Sequence, residues 1–209
     1  MIPTARLILA SESPRRRELL AAVGVPFRVI PSGVDETPRP GESAVRFVRR
    51  AAIDKGREVG GRHPSAHVLS ADTIVVADGR ILGKPRSRAE SRRMLTLLAG
   101  REHRVYTAVC LLCAGRGYRD LGLEVTRVRF RALTAAEVAS YVRTGEGDDK
   151  AGAYAAQGAG MLLIDRVSGS FTNVVGLPMT RVVSMLWRAR LIEVSHGGPG
   201  WYSLAEGKG

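Results

Sequence analysis

The stretch 104–130 reads RVYTAVCLLCAGRGYRDLGLEVTRVRF and predicts two long strands joined by a short turn. Residues 104–113 and 118–130 are rich in valine, tyrosine and other residues that favour strands. Between them, Gly115-Arg116-Gly117 supplies the glycines that tight turns use. Strands connected so closely pair antiparallel, because parallel neighbours need a crossover of about a dozen residues or more.

Shorter elements on both sides of this pair place the chain in the α/β class. Further strands are predicted at residues 6–9, 27–30, 67–70, 73–77, 80–82 and 161–165. Capping residues, prolines and glycines predict helices at residues 15–23, 43–60, 87–100, 134–145 and 178–191. Several consecutive strands pair antiparallel and the order is not a regular βαβ array. We therefore expect a mixed sheet, in one domain or two lobes.

The composition excludes several classes of protein. The 209 residues are 44% hydrophobic and 25% charged, which excludes disorder, collagen and coiled coil as descriptions of the whole chain. The longest apolar stretch, residues 108–114, is far shorter than the roughly 18 residues that span a bilayer. The first residues lack the basic start and apolar core of an export signal. We therefore expect a cytoplasmic location.

The charge indicates an anionic partner. A formal net charge of +12 suggests that the partner is nucleic acid or a phosphorylated metabolite. The alternative is that the excess arginine is spread over the surface as a feature of composition, with no specific partner. Aromatic residues make up 5% of the chain, and this scarcity argues against single-stranded nucleic acid, which stacks on rings. Only four of the 32 cationic residues are lysines. Lys55, Lys84 and Lys150 therefore mark candidate positions that need a compact ammonium.

The two cysteines form the pattern C-x-x-C at Cys110 and Cys113. A structural zinc site needs four ligands, and the sequence has no second cysteine pair. Both residues fall in a predicted strand, where residues three apart point to opposite faces. We therefore expect buried strand residues, and two thiols in a chain of this size fit a reducing compartment.

Three loops carry side chains suited to chemistry. Residues 11–16, SESPRR, join a strand to a helix N-terminus, and they suit either a phosphate chain or an ordinary helix cap. Asp72 lies between two apolar strand segments, where burial without a partner would be costly. It is expected to be a general base or a metal ligand, or else a turn-forming residue. Residues 147–160 are rich in Gly and Ala, which either admit a ligand close to the backbone or form a plain loop. Gln157 there offers a donor and an acceptor to a base edge.

Together these segments resemble the Maf family of nucleoside triphosphate pyrophosphatases, at one time described as septum-formation proteins. The resemblance covers residues 7–186, in family order. The matching pieces are LASESPRR (9–16), ADT (71–73), GKP (83–85), GREHRV (100–105), DKAGAY (149–154), QG (157–158) and NVVGLP (173–178). It implies a mixed, largely antiparallel twisted sheet flanked by helices, with two lobes around a central cleft, similar to inosine-triphosphatase-like proteins. We expect one catalytic domain over residues 1–194 and a flexible tail over residues 195–209.

The resemblance also implies an activity. Family members hydrolyse a nucleoside triphosphate to the monophosphate and pyrophosphate with a divalent metal, Mg²⁺ or Mn²⁺, and the resemblance suggests a homodimer. The form DKAGAY with Gln157 resembles the branch that acts on dTTP and UTP. In that branch the proton acceptor falls on Asp72, and the specificity positions fall on Arg15, Thr73 and Gln157.

The residue types and the resemblance converge on one hypothesis for the site. The residues expected to bind the triphosphate are Ser11, Arg15, Arg16, Lys55, Lys84 and Lys150. Asp72 would activate water for attack at the α-phosphorus, and it would also touch the metal. Glu36 is the second expected metal ligand. Thr73 and Gln157 would bind the pyrimidine ring.

Two departures from the family pattern and three alternatives complete the predictions. Glu12 replaces a small residue beside the expected phosphate site, and Ala155-Ala156 replaces a typical Gly-Ile before Gln157. One alternative is the same chemistry on 7-methyl-GTP or another non-standard nucleotide. The others are a basic nucleic-acid-binding protein and a division-regulating protein that binds nucleotide without turnover. His103 is expected to be catalytic or to have a positioning or structural role.

Overall fold

The computed structural model describes residues 6–195 and 201–205. The strands are β1 (Leu7–Ala10), β2 (Arg28–Val29), β3 (His67–Ala77), β4 (Arg80–Leu82), β5 (Glu102–Cys113), β6 (Tyr118–Phe130), β7 (Ile164–Ser168), β8 (Ile192–Val194) and β9 (Tyr202–Leu204). The helices are α1 (Pro14–Ala21), α2 (Ala44–Arg62), α3 (Arg88–Leu98), α4 (Ala135–Thr144), α5 (Phe171–Val175) and α6 (Met179–Arg188). None of these helices combines the length and the apolar character needed to cross a membrane.

Within the described residues, seven strands form one mixed sheet, in the order β2-β1-β3-β5-β6-β7 with β4 also paired to β3. β1 pairs parallel with β2 and β3, whereas the pairs β3–β4, β3–β5, β5–β6 and β6–β7 are antiparallel. The mixed, largely antiparallel sheet flanked by helices is therefore confirmed. The β5–β6 pair runs unbroken from Glu102 opposite Arg129 to Cys113 opposite Tyr118.

Strand β3 differs from the prediction in a way that matters for the site. The sequence predicts two strands with Ala71 and Asp72 between them, but β3 continues through both residues. Asp72 pairs with Ala108 of β5 across the sheet. The turn-forming alternative for Asp72 is therefore wrong, because the ladder of β5 holds its backbone extended.

The C-terminal third also differs from the prediction. Residues Gly158–Leu163 form a 3₁₀ helix, so β7 begins at Ile164, later than the predicted strand at 161–165. The short helix α5 was not predicted. Strand β9 lies within the expected tail, and it pairs antiparallel with β8, which precedes the tail. Residues 196–200 and 206–209 of that tail lie outside the described residues, and the domain boundary at 194 stays a prediction.

Helix α2 packs against one face of the sheet with an unusually close approach. A Cβ on Gly60 would lie 2.6 Å from Leu112 Cδ1, and a Cβ on Gly56 would lie 2.8 Å from Ser70 Oγ. Ser70 Oγ instead donates a 2.7 Å hydrogen bond to the Ala52 carbonyl, which ties α2 to β3. The two glycines thus bring α2 close to the sheet, and Lys55, immediately before Gly56, reaches Asp72 in the middle of β3.

The opposite face and the far end of the sheet have cores of their own. Leu20 of α1 and Val182 and Met185 of α6 pack over β1, β3 and β5. Helices α3 and α4 pack with Phe130, Tyr154 and Leu163 into another cluster at the end of β3. A cleft remains between that cluster and the start of α1, and the candidate site lies in it.

Candidate active site

A cavity of about 350 Å³ opens where β1 ends, beside the middle of β3. Its volume falls in the range typical of small-molecule sites, roughly 300–1,000 Å³. In the described part of the chain, its charged lining consists of five cations and four acids, namely Arg15, Arg16, Lys55, Lys84, Lys150, Glu12, Glu36, Asp72 and Asp149. The three lysines singled out by their scarcity therefore meet in one place.

The turn from β1 into α1 forms one wall. Ser13 caps the helix by accepting a hydrogen bond from Arg16 N at 3.4 Å, and Pro14 occupies the first turn. Ser11 is nearly buried and accepts from Ser13 N at 3.2 Å. The predicted phosphate loop thus lies at the cavity, with Glu12 exposed beside it.

Lys55 joins the two carboxylates that the sequence predicts as metal ligands. Its ammonium lies 2.8 Å from Asp72 Oδ1 and 2.8 Å from Glu36 Oε1. Lys55 is 5% exposed and Asp72 is 4% exposed. A buried charge is costly unless it is paired, and here the ammonium and the carboxylate pair with each other.

Glu36 is held ionised by the cations around it. Burial alone raises the pKa of Glu36, but the charge and hydrogen bond of Lys55, with a smaller contribution from Lys84, lower that pKa below its ordinary value. Glu36 is less enclosed than Asp72, because its side chain is 44% exposed. It is therefore the carboxylate at the mouth of the cavity, and Asp72 is the one at its base.

The remaining predicted cations fall into two groups. Lys150 contacts the carboxylate of its neighbour Asp149. Arg15 and Lys84 line the cavity, and neither makes an ion pair or a side-chain hydrogen bond within residues 6–195 and 201–205. These two side chains are therefore available to an anionic ligand without first breaking a contact.

Arg16 and Thr73 lie at the cavity but face inward. The Arg16 guanidinium contacts Ser11, Thr73 and two backbone carbonyls, and Thr73 Oγ1 also lies 2.9 Å from Thr107 Oγ1. Burial lowers the pKa of Arg16, and the charges of Asp72 and Glu36 counter this shift.

Gln157 is the one predicted site residue that is not among the described residues lining the cavity. Its side chain is exposed, whereas Tyr154, Ala155 and Ala156 line the cavity. Ala155 N donates to Tyr141 Oη at 3.0 Å, which anchors this wall. The small side chains at 155 and 156 keep that part of the cavity open.

His103 stands behind this wall: it is not among the described residues that line the cavity, and it contacts Tyr154, which is. His103 Nε2 lies 2.8 Å from Tyr154 Oη, and the His103 ring packs edge-on against Phe130. Burial lowers the pKa of His103 to about 4. A neutral imidazole at this depth supports Tyr154, so the positioning interpretation fits the geometry better than the catalytic one.

This lowered pKa predicts a pH-dependent stability. Between pH 6.5 and 4 the unfolded chain binds a proton at His103 that the folded chain does not, so stability falls as pH falls through that window. From pH 7 to pH 5 the loss due to His103 should be about 2 kcal/mol. Urea unfolding at both pH values measures it. His103→Gln, which cannot titrate, should lose about 2 kcal/mol less between them, and an equal loss in both proteins would contradict the assignment.

Two residues that help to build the site could not be identified from the sequence. Thr107 gives no motif, and its role follows only from its register opposite Thr73 in the β3–β5 pair. Gly176 lies in the NVVGLP piece of the family pattern, but that pattern predicted no role for the residue. Its carbonyl accepts from Arg16, 160 residues away along the chain.

Comparisons with known proteins identify the family of this chain. The family model described as Maf-like protein matches residues 6–189. A dTTP/UTP pyrophosphatase of Myxococcus xanthus is 51% identical over 185 residues, which cover 88% of this chain and 93% of that protein. A dTTP/UTP pyrophosphatase of Symbiobacterium thermophilum is 51% identical over 182 residues, which cover 87% of this chain and 92% of that protein.

Among solved structures, a HAM1 protein of Coxiella burnetii matches 59% of this chain and 72% of its own, with a TM-score of 0.42 and 19% identity. The family match is far more extensive, since it spans the chain from the start of β1 to the end of α6. It confirms the resemblance read from the sequence pieces. The chain therefore belongs to the Maf family.

Proposed function

We propose that this chain hydrolyses dTTP and UTP to the nucleoside monophosphate and pyrophosphate. The observation that carries the proposal is a buried carboxylate, Asp72, at the base of a cavity lined by five cationic side chains. A triphosphate bears several negative charges, and such a cavity suits it. The names of the relatives from Myxococcus xanthus and Symbiobacterium thermophilum support the choice of dTTP and UTP.

In this mechanism Asp72 acts as the general base. It accepts a proton from a water molecule, which attacks the α-phosphorus and displaces pyrophosphate. Lys55, in contact with Asp72, keeps that carboxylate oriented. Arg15, Lys84 and Lys150 neutralise the phosphate chain, with the greatest benefit as charge develops on the leaving pyrophosphate.

The donor set near Lys55 fits a divalent cation in part. Asp72 and Glu36 lie on either side of the Lys55 ammonium, which both contact, and they offer the hard carboxylate oxygens that Mg²⁺ and Mn²⁺ prefer. No cluster of three or more His, Cys, Asp or Glu side chains suited to a metal occurs in the described ranges. Mg²⁺ commonly binds through one or two carboxylates together with substrate phosphates. We propose that these two residues would hold such a cation only together with substrate, to which it would supply positive charge.

The finer parts of the function remain proposals. Gln157 and Thr73 are the proposed determinants of pyrimidine preference, and the exposed position of Gln157 requires its loop to close over the base. A homodimer and a cytoplasmic location stay predictions. Glu12, at the cavity, would weaken triphosphate binding by repulsion.

A panel of nucleoside triphosphates with product identification tests the proposal. We expect pyrophosphate and monophosphate from dTTP and UTP, and loss of turnover after EDTA treatment that Mg²⁺ or Mn²⁺ restores. A preference for 7-methyl-GTP would move the protein to another substrate class with the same chemistry. Nucleotide binding without turnover, or salt-sensitive nucleic-acid binding without turnover, would overturn the proposal.

A further inference from the structure

Arg16 and Arg15 are neighbours in α1, yet their surroundings differ completely. The Arg16 guanidinium donates from Nε to the Gly176 carbonyl at 2.8 Å and from Nη1 to the Ala71 carbonyl at 2.9 Å. It also donates to Ser11 Oγ at 3.3 Å and to Thr73 Oγ1 at 3.0 Å. A guanidinium has five N–H donors, so protein acceptors occupy most of them and leave little for a phosphate.

The Ala71 carbonyl explains why a cation stands here. Strand β1 pairs with β3 only as far as Ala10 opposite Ser70. The next carbonyl of β3 on that edge, Ala71, would lack a backbone donor, and an unpaired carbonyl away from water is costly. Arg16 supplies the missing donor and so continues the pairing by one residue beyond the end of β1.

The Thr73 hydroxyl links Arg16 to strand β5 and to the segment after α5. Thr73 Oγ1 accepts a hydrogen bond from Arg16 at 3.0 Å and lies 2.9 Å from Thr107 Oγ1. It also lies within hydrogen-bond distance, 3.4 Å, of the Gly176 carbonyl. Thr107 Oγ1 in turn donates to the Asn173 carbonyl at 3.2 Å. Arg16 and Thr73 are therefore held by the same distant backbone.

We infer that Arg16 is a positioning residue for Asp72 rather than a ligand of the triphosphate. Arg16 fixes the carbonyl of residue 71 and the side chain of residue 73, immediately before and after Asp72. It also joins them to Gly176, after α5. This clamp, defined as Arg16, Thr73 and Thr107, sets where the Asp72 carboxylate points. The inference rests on the proposed role of Asp72 as general base.

Kinetics of matched arginine variants test the clamp. Arg16→Lys keeps the charge but loses the forked geometry. We expect its kcat for dTTP to fall on the order of 100-fold, with KM changed less than about threefold, because displacement of a catalytic group acts on kcat. Arg15→Lys is the matched control, and it should raise KM more than it lowers kcat. A raised KM with unchanged kcat in Arg16→Lys would make Arg16 a phosphate ligand and overturn the inference.

Hydrogen exchange separates this inference from the proposed function. Deuterium uptake in peptides covering residues 69–76 should rise in Arg16→Lys and stay at the wild-type level in Arg15→Lys. Equal uptake in the two variants would contradict the clamp. This comparison needs no substrate, so it is decisive even where the wild-type protein turns over none of the nucleotides, an outcome that would overturn only the proposed function.

Discussion

Replacement of Asp72 by asparagine is expected to remove nearly all pyrophosphate release from dTTP while the fold is retained. Asparagine keeps an oxygen that can accept the hydrogen bond from Lys55, but it cannot accept a proton from water at neutral pH. A positioned general base contributes roughly 10²- to 10⁴-fold to rate. We therefore expect kcat to fall by at least about 100-fold, measured by continuous detection of pyrophosphate.

An exposed aspartate provides the control. Asp78 follows β3 in the turn to β4, and its side chain is 63% exposed and paired with Arg101 outside the cavity lining. Asp78→Asn should retain the wild-type kcat and KM. Wild-type turnover in Asp72→Asn, or an equal loss in both variants, would refute the assignment of Asp72 as the base.

Replacement of Lys55 by methionine should cost both stability and activity. It leaves the buried Asp72 carboxylate without the ammonium that it contacts at 2.8 Å. Removal of one partner of a buried ion pair typically costs about 3–5 kcal/mol, and we expect a loss of that order in urea unfolding. Activity should fall with it, because the general base then lacks the contact that orients it.

Two further variants show whether the uncompensated charge causes this loss. The double variant Lys55→Met/Asp72→Asn carries no unpaired buried carboxylate at position 72, so it should recover most of the stability and none of the activity. Arg62→Met, in the same helix, breaks an exposed pair with Glu58 and should cost less than about 1 kcal/mol. A Lys55→Met protein as stable as Arg62→Met would contradict the buried pair.

The sequence predicted the sheet well because its signals are local. The β5–β6 pair follows from two apolar strands and a glycine turn, and helix starts such as Thr134 with Glu137 form the expected capping box. The β3 break was wrong for the opposite reason. A carboxylate inside an apolar run resembles a turn, and only Lys55, 17 residues earlier in the chain, makes a continuous strand possible there.

The site was predicted in part for the same physical reasons. The scarcity of lysine picked out Lys55, Lys84 and Lys150, and all three line the cavity. The sequence could not separate the roles of Arg15 and Arg16. Both begin one helix, and the difference between them arises from distant backbone, including the carbonyl of residue 176.

The most direct test of the account is a crystal structure of the Asp72→Asn protein with dTTP and a divalent cation. The account predicts the triphosphate in the cavity, in contact with Arg15, Lys84 and Lys150, with the α-phosphorus one water molecule away from the side chain of residue 72. A triphosphate bound on another surface, or an α-phosphorus beyond the reach of a single bridging water, would contradict it.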